Sequence, residues 1–427
     1  MQTVHKRLLI IFSIALLGGL LSAALLLNDK AAAYANAISA AIPLNQPGYS
    51  DDNSTFTSAA EEPDVDDDEG LPEVEPDVIA TSFDVIANQQ DPVEATQNAT
   101  LGFGELILLS LEYRTDRQDA IALISSLCGM KVSHMVPGVR FHDINEKAYP
   151  GGDALSWLVK PKSQQYLGSW RSHMNAFKYI VENRIESALL IEDDVDWDIN
   201  IKHQLRALSQ ALRSSPIRAP LSPDEAARAP YGLDWDIIHF GPSKANMAPQ
   251  PRDKVYTAYN DPYRASTAVA NNACSHPWFC WSRIMSSTGL NETERVIFPT
   301  FETVGLSAIA ISYRGAQKLL YQLSFKELTN TLDLSMAKLV QQGQLRGWTV
   351  IPPLMSEFKT RGQADSDLKS LVGSKRGRGN LQGKSAGVAH SARKALTEQL
   401  ENGDYWVEEK KVWQKIIDDR EPAATSS

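Results

Sequence analysis

Apolar runs and amphipathic segments alternate from residue 104 to residue 351 of this 427-residue chain. Unbroken runs of Leu, Ile, Val and Ala are typical of strands buried on both faces, whereas apolar residues recurring every three or four positions indicate helices. The runs predict strands at 104–111, 131–136, 188–191, 235–241, 306–311 and 348–351. The periodic segments predict helices at 114–129, 170–184, 199–212, 313–323 and 333–342, and alternation of the two predicts an α/β sheet with helices on both faces.

Between these elements the pattern is less regular. Ser169 is suited to cap the helix that follows it, because a serine side chain accepts a hydrogen bond from the first-turn amides. The proline-rich residues 216–230 predict a surface connection, and residues 242–300, rich in Asn, Pro and aromatic side chains, predict a long set of loops. Residues 373–394 are rich in Gly, Ser, Lys and Arg and predict a basic flexible segment, followed by a terminal helix at 395–419 that could fold back over the body.

The N-terminus carries a membrane signal. Residues 8–27 form a run of 20 without charge, preceded by His5, Lys6 and Arg7. About 20 apolar residues span a bilayer as a helix, and a basic flank is retained in the cytoplasm, so the pattern predicts a short cytoplasmic tail, residues 1–7, and a signal anchor, residues 8–27. A cleaved signal peptide is the alternative, since Ala33-Tyr34-Ala35 offers a small-residue site. Both place the remainder in the secretory lumen.

Residues 28–100 read as an acidic disordered stem. No Lys or Arg occurs from 31 to 100, while 15 acids do, and such a composition offers too little apolar burial to fold. The formal net charge of −10 therefore belongs to the stem, and the remainder is near neutral. Nothing in it suggests nucleic-acid binding, which needs a strongly basic face. Of the three cysteines, Cys274 and Cys280 could form a disulfide in an oxidising lumen, leaving Cys128 free and buried.

The third apolar run ends in an acidic cluster made of Glu192, Asp193 and Asp194, with Asp196 and Asp198 just beyond. Adjacent carboxylates repel one another, and carboxylates at the carboxyl end of a strand stand where open α/β sheets bind ligands. The cluster therefore suggests a divalent cation site. The alternative is an acidic helix start, which we favour for Asp196 and Asp198.

Three blocks of the sequence, with their order and spacing, resemble glycosyltransferase family 25, and its fungal members in particular. They are LILLSLEYRTDRQDAI, LGSWRSHMNAFKYIVENRIESALLIEDDVDWD and SAIAISYRGAQKLLYQL, with weaker agreement at WDIIHFG, DLSMAKLV and ADSDL. The resemblance covers roughly residues 106–368. This family includes lipopolysaccharide-modifying and collagen galactosyltransferases.

The resemblance implies a GT-A type, Rossmann-like nucleotide-sugar transferase domain at 101–372, followed by the basic segment and helix at 373–427. It implies transfer of a sugar, galactose from UDP-galactose being favoured, to a glycan or glycoprotein with inversion and with Mn²⁺ or Mg²⁺ as the cofactor. The expected location is the Golgi or endoplasmic-reticulum membrane, with the catalytic domain lumenal. A catalytically inactive protein of the same fold that binds glycans or partners, and a secreted acidic binding protein, remain alternatives.

The resemblance also suggests residue roles. Arg114 and Arg117 match a nucleotide-facing segment, although each could instead pair with a neighbouring acid on the surface. Ser172 and His173 lie on the helix before the acidic strand and could face the donor, a packing role being the alternative for His173. Asp193 is expected to hold the ribose or join the metal shell.

The metal ligands are expected to be Asp194 first, then Glu192 and Asp193. An inverting transfer also needs a base for the acceptor hydroxyl. Asp333 matches a late acidic residue of the family, with helix capping as its alternative role. Glu302 is the second candidate base, and Asp236 is held in reserve with it.

Overall fold

The computed structural model describes residues 91–161, 163–248, 255–272, 281–360, 384–385 and 387–402. All of them lie in one compact unit, Pro76–Ser427. The predicted tail, anchor and most of the stem lie outside the described residues, as do Cys274 and Cys280. Among the residues that are described, no helix is long and apolar enough to cross a membrane.

Strands and helices alternate through the described chain. The strands are β1 Glu105–Ser110, β2 His134–Pro137, β3 Ser187–Glu192, β4 Val195–Trp197, β5 Ile237–His239, β6 Lys244–Asn246, β7 Thr257–Asn260, β8 Glu294–Pro299, β9 Glu302–Val304, β10 Ala308–Ser312, β11 Gly347–Ile351, β12 Met355–Lys359 and β13 Lys384–Ser385. The helices are α1 Thr115–Leu127, α2 Leu155–Leu158, α3 Gln165–Glu182, α4 Ile201–Arg213, α5 Pro223–Arg228, α6 Thr267–Asn272, α7 Trp281–Thr288, α8 Tyr313–Leu320, α9 Leu332–Gln341 and α10 Ala392–Asn402. A π-helical turn, Tyr321–Lys326, continues α8.

Eight strands form the central sheet in the order β2-β1-β3-β10-β5-β11-β8-β7. The first three, β2, β1 and β3, are mutually parallel, and β5 is parallel to β11. Strands β8 and β10 run against their neighbours, so the sheet is mixed. Two smaller sheets, β13-β12-β4 and β6-β9, are attached to it.

Helices cover both faces of the central sheet. Successive residues of its inner strands point to opposite faces, so the strands bury side chains on both sides. On β3, Leu189 and Ile191 join one apolar cluster with α1 and α4, whereas Ala188 and Leu190 join another with α3, α8 and α9. Each of these four side chains is fully buried. The result is a three-layer α/β/α arrangement, which confirms the mixed α/β fold expected from the sequence.

All six predicted strands are present and all belong to the central sheet. The prediction of loops at 242–300 was wrong: this stretch contains β7 and β8, which complete one edge of the sheet, and β6, α6 and α7. Arg295 interrupts the apolar run of β8, and a charged residue normally indicates an exposed position, so the run was not recognised as a buried strand. Here Arg295 pairs with Asp261, and each side chain is only 1% exposed.

Other boundaries differ from the expectation. Ser169 does not cap α3, because the helix begins one turn earlier at Gln165 and Ser169 lies inside it. The connection at 216–230 contains the short helix α5, capped by Ser222 with Glu225 in a reciprocal capping box. The last ten residues of the predicted stem, 91–100, are packed and not part of a disordered stem: they include a 3₁₀ turn with Val93 and Ala95 buried.

The described part of the C-terminal region also departs from the prediction of flexibility. Residues 384–385 and 387–402, here called the C-terminal segment, lie against the domain. Strand β13 pairs with β12, and Ser391 forms a bridge with Asp198. Helix α10 starts at Ala392, which is fully buried, and not at residue 395. The expectation that this region folds back over the body is confirmed for these residues.

Candidate functional site

A cleft opens where the carboxyl ends of β1 and β3 meet. The chain leaves β1 toward β2 on one side and returns to β3 on the other, so this is the point in a parallel sheet where ligands bind. The cleft has a volume of about 220 Å³. Its walls come from the ends of β1 and β3, the loop after β2 and the first turns of α3; the lining residues include Ser110, Tyr113, Arg117, Val139, Phe141, Gln165, Ser169, Ser172, His173, Glu192, Asp193 and Asp194. Six of the predicted site residues therefore converge.

Asp193 is held rigidly from the neighbouring strand and helix. Its carboxylate accepts a hydrogen bond from Ser110 Oγ at 2.8 Å and one from Arg117 Nη1 at 2.7 Å. The Arg117 and Asp193 side chains are only about a tenth exposed, so the pair is shielded from solvent. Both Asp193 oxygens are engaged within the protein. Asp193 thus fixes the acidic turn and orients Arg117.

Asp194 is differently placed. Arg117 Nη1 lies 3.5 Å from its Oδ2, but its Oδ1 is buried and has no hydrogen-bond partner. Burial raises the pKa of Asp194 to about 7; Arg117 opposes the rise, while Glu357 and Asp193 add to it. A buried carboxylate oxygen without a donor carries a desolvation penalty that a cation would remove.

Glu192 faces His173 across the cleft, with 3.9 Å between Glu192 Oε1 and His173 Nε2. Burial, followed by the charges of Asp194 and Asp193, raises the pKa of Glu192 well above its usual value. His173 Nδ1 contacts the Ser169 carbonyl at 2.9 Å and must therefore carry the proton, which leaves Nε2 as an unpartnered acceptor. Burial lowers the pKa of His173 to about 4, so this imidazole is neutral at physiological pH.

Ser172 ties the helix to the loop that follows β2. Its hydroxyl donates to the Gly168 carbonyl at 2.8 Å and accepts from the Val139 amide at 2.7 Å. Gly168 is needed at this approach, because a Cβ atom there would lie 2.6 Å from the Val139 carbonyl oxygen. Ser172 therefore shapes the wall of the cleft.

Arg114 lies outside the lining of the cleft. It stands at the N-terminus of α1 and makes two hydrogen bonds of 2.9 Å to Asp116, the surface pairing considered as its alternative. Arg117, three residues further along in the first turn, is the arginine that reaches the acidic cluster.

The three candidate bases have different settings. Asp333, in the first turn of α9, accepts hydrogen bonds from Thr331 and from the Leu334 and Gly305 amides and lies outside the lining of the cleft. Its charge acts on both Glu192 and His173. Glu302 lies in the β6-β9 sheet, hydrogen bonded to Asn246 at 2.8 Å and outside the lining of the cleft. Asp236 has a structural role, described next.

Asp236 is fully buried and is satisfied by three donors. They are Arg314 Nε at 3.0 Å, Lys318 Nζ at 2.7 Å and the Arg346 amide at 2.8 Å. Although burial opposes it, these donors hold the pKa of Asp236 below its usual value. The carboxylate therefore joins α8 to the sheet, and it has no free oxygen for chemistry.

Asp196 and Asp198 do more than start the next helix, contrary to the expectation. Asp198 accepts from the Asn200 amide at 2.9 Å, as a helix start requires, but its second oxygen accepts from the His390 amide at 2.8 Å. Asp196 is fully buried and accepts from Ser391 Oγ and from Ser385 Oγ of the C-terminal segment. Both carboxylates anchor that segment.

Two charged residues next to the acidic cluster could not be identified from sequence. Glu357, on β12, and Arg393, at the start of α10, both influence the charge of Asp194. They are distant from the cluster in sequence and lie in no recognisable motif. Ser110 had a weak signal, since it is the last residue of a strand that the pattern predicts. Cys128 is free, as expected, but only half-buried, and its sulfur accepts a hydrogen bond from Trp197 Nε1 at 3.3 Å.

The cleft offers two carboxylates, but not a complete set of protein ligands, for a hard divalent cation. Within the described ranges, no three His, Cys, Asp or Glu side chains are grouped as a complete metal site. Asp194, with its unpartnered oxygen, and Glu192 are the carboxylates left after Asp193 is engaged. Two carboxylates are adequate for Mg²⁺-like ions, which complete their coordination with water and substrate phosphates.

Comparison with known proteins confirms the resemblance to glycosyltransferase family 25. The chain is 26% identical over 152 residues to procollagen galactosyltransferase 1 of Danio rerio and 26% identical over 166 residues to procollagen galactosyltransferase 2 of Mus musculus, which is 34% and 38% of this chain. It is also 26% identical over 154 residues, 34% of its length, to the inactive glycosyltransferase 25 family member 3 of Homo sapiens. No family model matches the chain. The matched part spans less than a quarter of each of these relatives: 22%, 24% and 23%.

Proposed function

We propose that this protein is a glycosyltransferase that binds a UDP-sugar, favouring UDP-galactose, in the cleft between β1 and β3 and transfers the sugar to a glycan or glycoprotein acceptor. The observation that carries the proposal is the buried acidic turn, in which Asp194 keeps one oxygen without a partner beside the Arg117 guanidinium. The similarity to procollagen galactosyltransferases supports the same reaction class.

The chemistry calls for charge stabilisation at the leaving diphosphate. Asp194 and Glu192 would hold Mn²⁺ or Mg²⁺, and the bound ion would neutralise the charge that develops on the nucleotide. Arg117 would contribute a further positive charge at the same end, since a guanidinium matches phosphate oxygens. Ser110 and Asp193 hold Arg117 and the acidic turn in place. His173, neutral, would offer Nε2 as an acceptor to a sugar hydroxyl.

The base for an inverting transfer is proposed to be Asp333. Its charge acts on Glu192 and His173, which supports this proposal. Glu302 remains the second candidate. An Asp333→Asn variant that retains nucleotide binding but loses sugar transfer would support Asp333 as the base. Normal transfer by this variant would rule Asp333 out as the base.

The decisive experiment measures release of UDP from UDP-galactose by the purified full-length chain, with Mn²⁺ and with EDTA. We expect turnover only with the cation, and none in Asp194→Asn. Glu182→Gln, an exposed carboxylate at the far end of α3, is the control and should behave as wild type. Turnover by folded Asp194→Asn at the wild-type rate would overturn the proposal.

A non-catalytic binding protein with the same fold is the second candidate function. It is favoured by one observation, the similarity to an inactive member of the same family. Binding of UDP and Mn²⁺ without turnover against a panel of nucleotide sugars and acceptors would support it.

For location, we propose a type II membrane protein of the Golgi or endoplasmic reticulum, anchored by residues 8–27 with the domain in the lumen. The uncharged run and its basic flank support this proposal. Sequencing the N-terminus of the mature protein tests it, because a start near Asn36 would indicate a cleaved signal peptide and a secreted protein.

A further inference from the structure

The C-terminal segment reaches the acidic turn of the cleft. Strand β13 pairs with β12, and β12 in turn pairs with β4, which directly follows the turn. The start of α10 is fixed by Asp196, whose oxygens accept from Ser391 Oγ and, at 3.3 Å, from the Arg393 amide. Ala392 is fully buried, and Leu396 packs against the main apolar cluster. The first turn of α10 is thus part of the domain.

Arg393 contacts the turn through its guanidinium. Its Nη2 donates to the Asp193 carbonyl at 3.1 Å and to the Val195 carbonyl at 3.0 Å, and its Nε lies 3.3 Å from the same Val195 oxygen. The guanidinium carbon lies 5.0 Å from the centre of the Phe358 ring, which restricts its orientation. One side chain therefore holds the two carbonyls on either side of Asp194.

The carbonyl between these two is held by β12. The Phe358 amide donates to the Asp194 carbonyl at 2.7 Å. With Arg393 on the flanking carbonyls and Phe358 on the central one, three consecutive peptide oxygens of the turn are bound by the C-terminal half of the chain. The direction of the Asp194 side chain, and of its unpartnered oxygen, is set by these contacts.

The positive charge of Arg393 also matters, because the turn is surrounded by carboxylates. Glu192, Asp193, Asp194 and Glu357 bring four carboxylates together, and they repel one another when ionised. Arg117, on α1, compensates part of this charge. Arg393, at the start of α10, compensates another part, since its positive charge acts on Asp196, Asp194 and Asp193. Loss of either arginine would leave the turn with uncompensated repulsion.

We propose that Arg393 is a positioning residue, which holds the 193–195 turn so that Asp194 presents its free oxygen to a nucleotide-bound divalent cation. This inference rests on the proposed function, because it deepens the role of the same site. It makes the C-terminal segment, about 200 residues away in sequence, a requirement for binding at the cleft.

The test compares Arg393→Met with His390→Ala in the full-length chain. His390 lies in the same segment and contacts Asp198, 3.3 Å from its ring, but not the turn. Calorimetric titration with UDP in the presence of Mn²⁺ should show affinity reduced about ten- to a hundredfold in Arg393→Met and unchanged in His390→Ala. Arg393→Lys keeps the positive charge but lacks the planar guanidinium that donates to both carbonyls, so it should recover part of the affinity. Wild-type affinity in folded Arg393→Met would overturn the proposal.

Hydrogen exchange in the unliganded protein separates this inference from the proposed function. Arg393→Met should speed amide exchange in residues 192–198 more than His390→Ala does. If the wild type fails to bind UDP, the proposed function fails, and hydrogen exchange alone tests the positioning role. Unchanged protection of residues 192–198 in Arg393→Met would then refute that role. If Arg393→Met does not fold, Arg393→Lys provides the same two comparisons.

Discussion

Replacement of Asp194 by Asn should make the unliganded protein more stable, although it removes the proposed cation ligand. The pKa of Asp194 is raised to about 7, first by burial and then by Glu357 and Asp193. A carboxyl whose pKa is higher in the folded than in the unfolded state binds protons more tightly when folded. Stability is therefore lost as pH rises from about 4 to 7, and an amide does not suffer this loss.

The size of the effect follows from the two pKa values. A rise from 3.8 to about 7 corresponds to about 4 kcal/mol when Asp194 is fully ionised, above pH 7. This is an upper limit, because Asp194 is 22% exposed and its 3.5 Å contact with Arg117 would be weakened. A gain of about 1–3 kcal/mol at pH 8 is expected once that contact is subtracted, falling to about zero near pH 4.

The assay is urea unfolding of wild type and Asp194→Asn at pH 4, 6 and 8 in EDTA, repeated at pH 8 with Mn²⁺ and UDP. Asp236→Asn is the matched control, because it makes the same change in another buried carboxylate. Asp236 is bound by Arg314, Lys318 and the Arg346 amide, so this variant should lose about 2–3 kcal/mol at pH 8. Mn²⁺ with UDP should stabilise wild type and Asp236→Asn but not Asp194→Asn.

The reasoning would be refuted if Asp194→Asn were destabilised at pH 8 to the same extent as Asp236→Asn. That result would mean that Asp194, like Asp236, is a satisfied structural carboxylate. A gain that did not depend on pH would also contradict the electrostatic cause.

Three further predictions concern stability and the cleft wall. Burial lowers the pKa of His239 to about 4, so the folded state resists its protonation; the free energy of unfolding should fall by about 3 kcal/mol for this residue between pH 6.5 and 4, and His239→Phe should remove that part of the slope in urea titrations. In Gly168→Ala, the new Cβ would lie 2.6 Å from the Val139 carbonyl, so a loss of about 1–3 kcal/mol in unfolding free energy and weaker UDP binding are expected; unchanged UDP affinity would show that the loop after β2 does not contact the nucleotide. In Gly315→Ala, the Cβ would lie 2.1 Å from the Asp236 carbonyl, so the variant should be destabilised by more than Gly168→Ala while the remaining folded fraction binds UDP normally.

Local patterns were sufficient for the central strands and the acidic cluster. Buried strands such as β3 carry continuous apolar residues, and these are recognisable without the rest of the chain. The strand β8, which lies between β11 and the edge strand β7, was missed because its Arg295 is neutralised by Asp261, a partner 34 residues away that the sequence pattern does not reveal.

The site was predictable where its residues lie at the ends of strands and on the next helix. Arg117, His173 and Glu192 to Asp194 converge as the resemblance suggested. The separate roles of Asp193 and Asp194 were not predictable, because they depend on which carboxylate oxygen accepts hydrogen bonds from Ser110 and Arg117. The contribution of Arg393 depends on a return of the chain after about 200 residues, for which the local sequence has no signal.

The central claim is that the turn ending β3 binds a nucleotide through a divalent cation held by Asp194. Calorimetric titration of the purified full-length protein with UDP, first in EDTA and then with Mn²⁺, tests it most directly. We predict no binding in EDTA, binding of one UDP per chain with Mn²⁺, and loss of that binding in Asp194→Asn but not in Glu182→Gln. Equal UDP affinity with and without Mn²⁺, or undiminished affinity in Asp194→Asn, would contradict the claim.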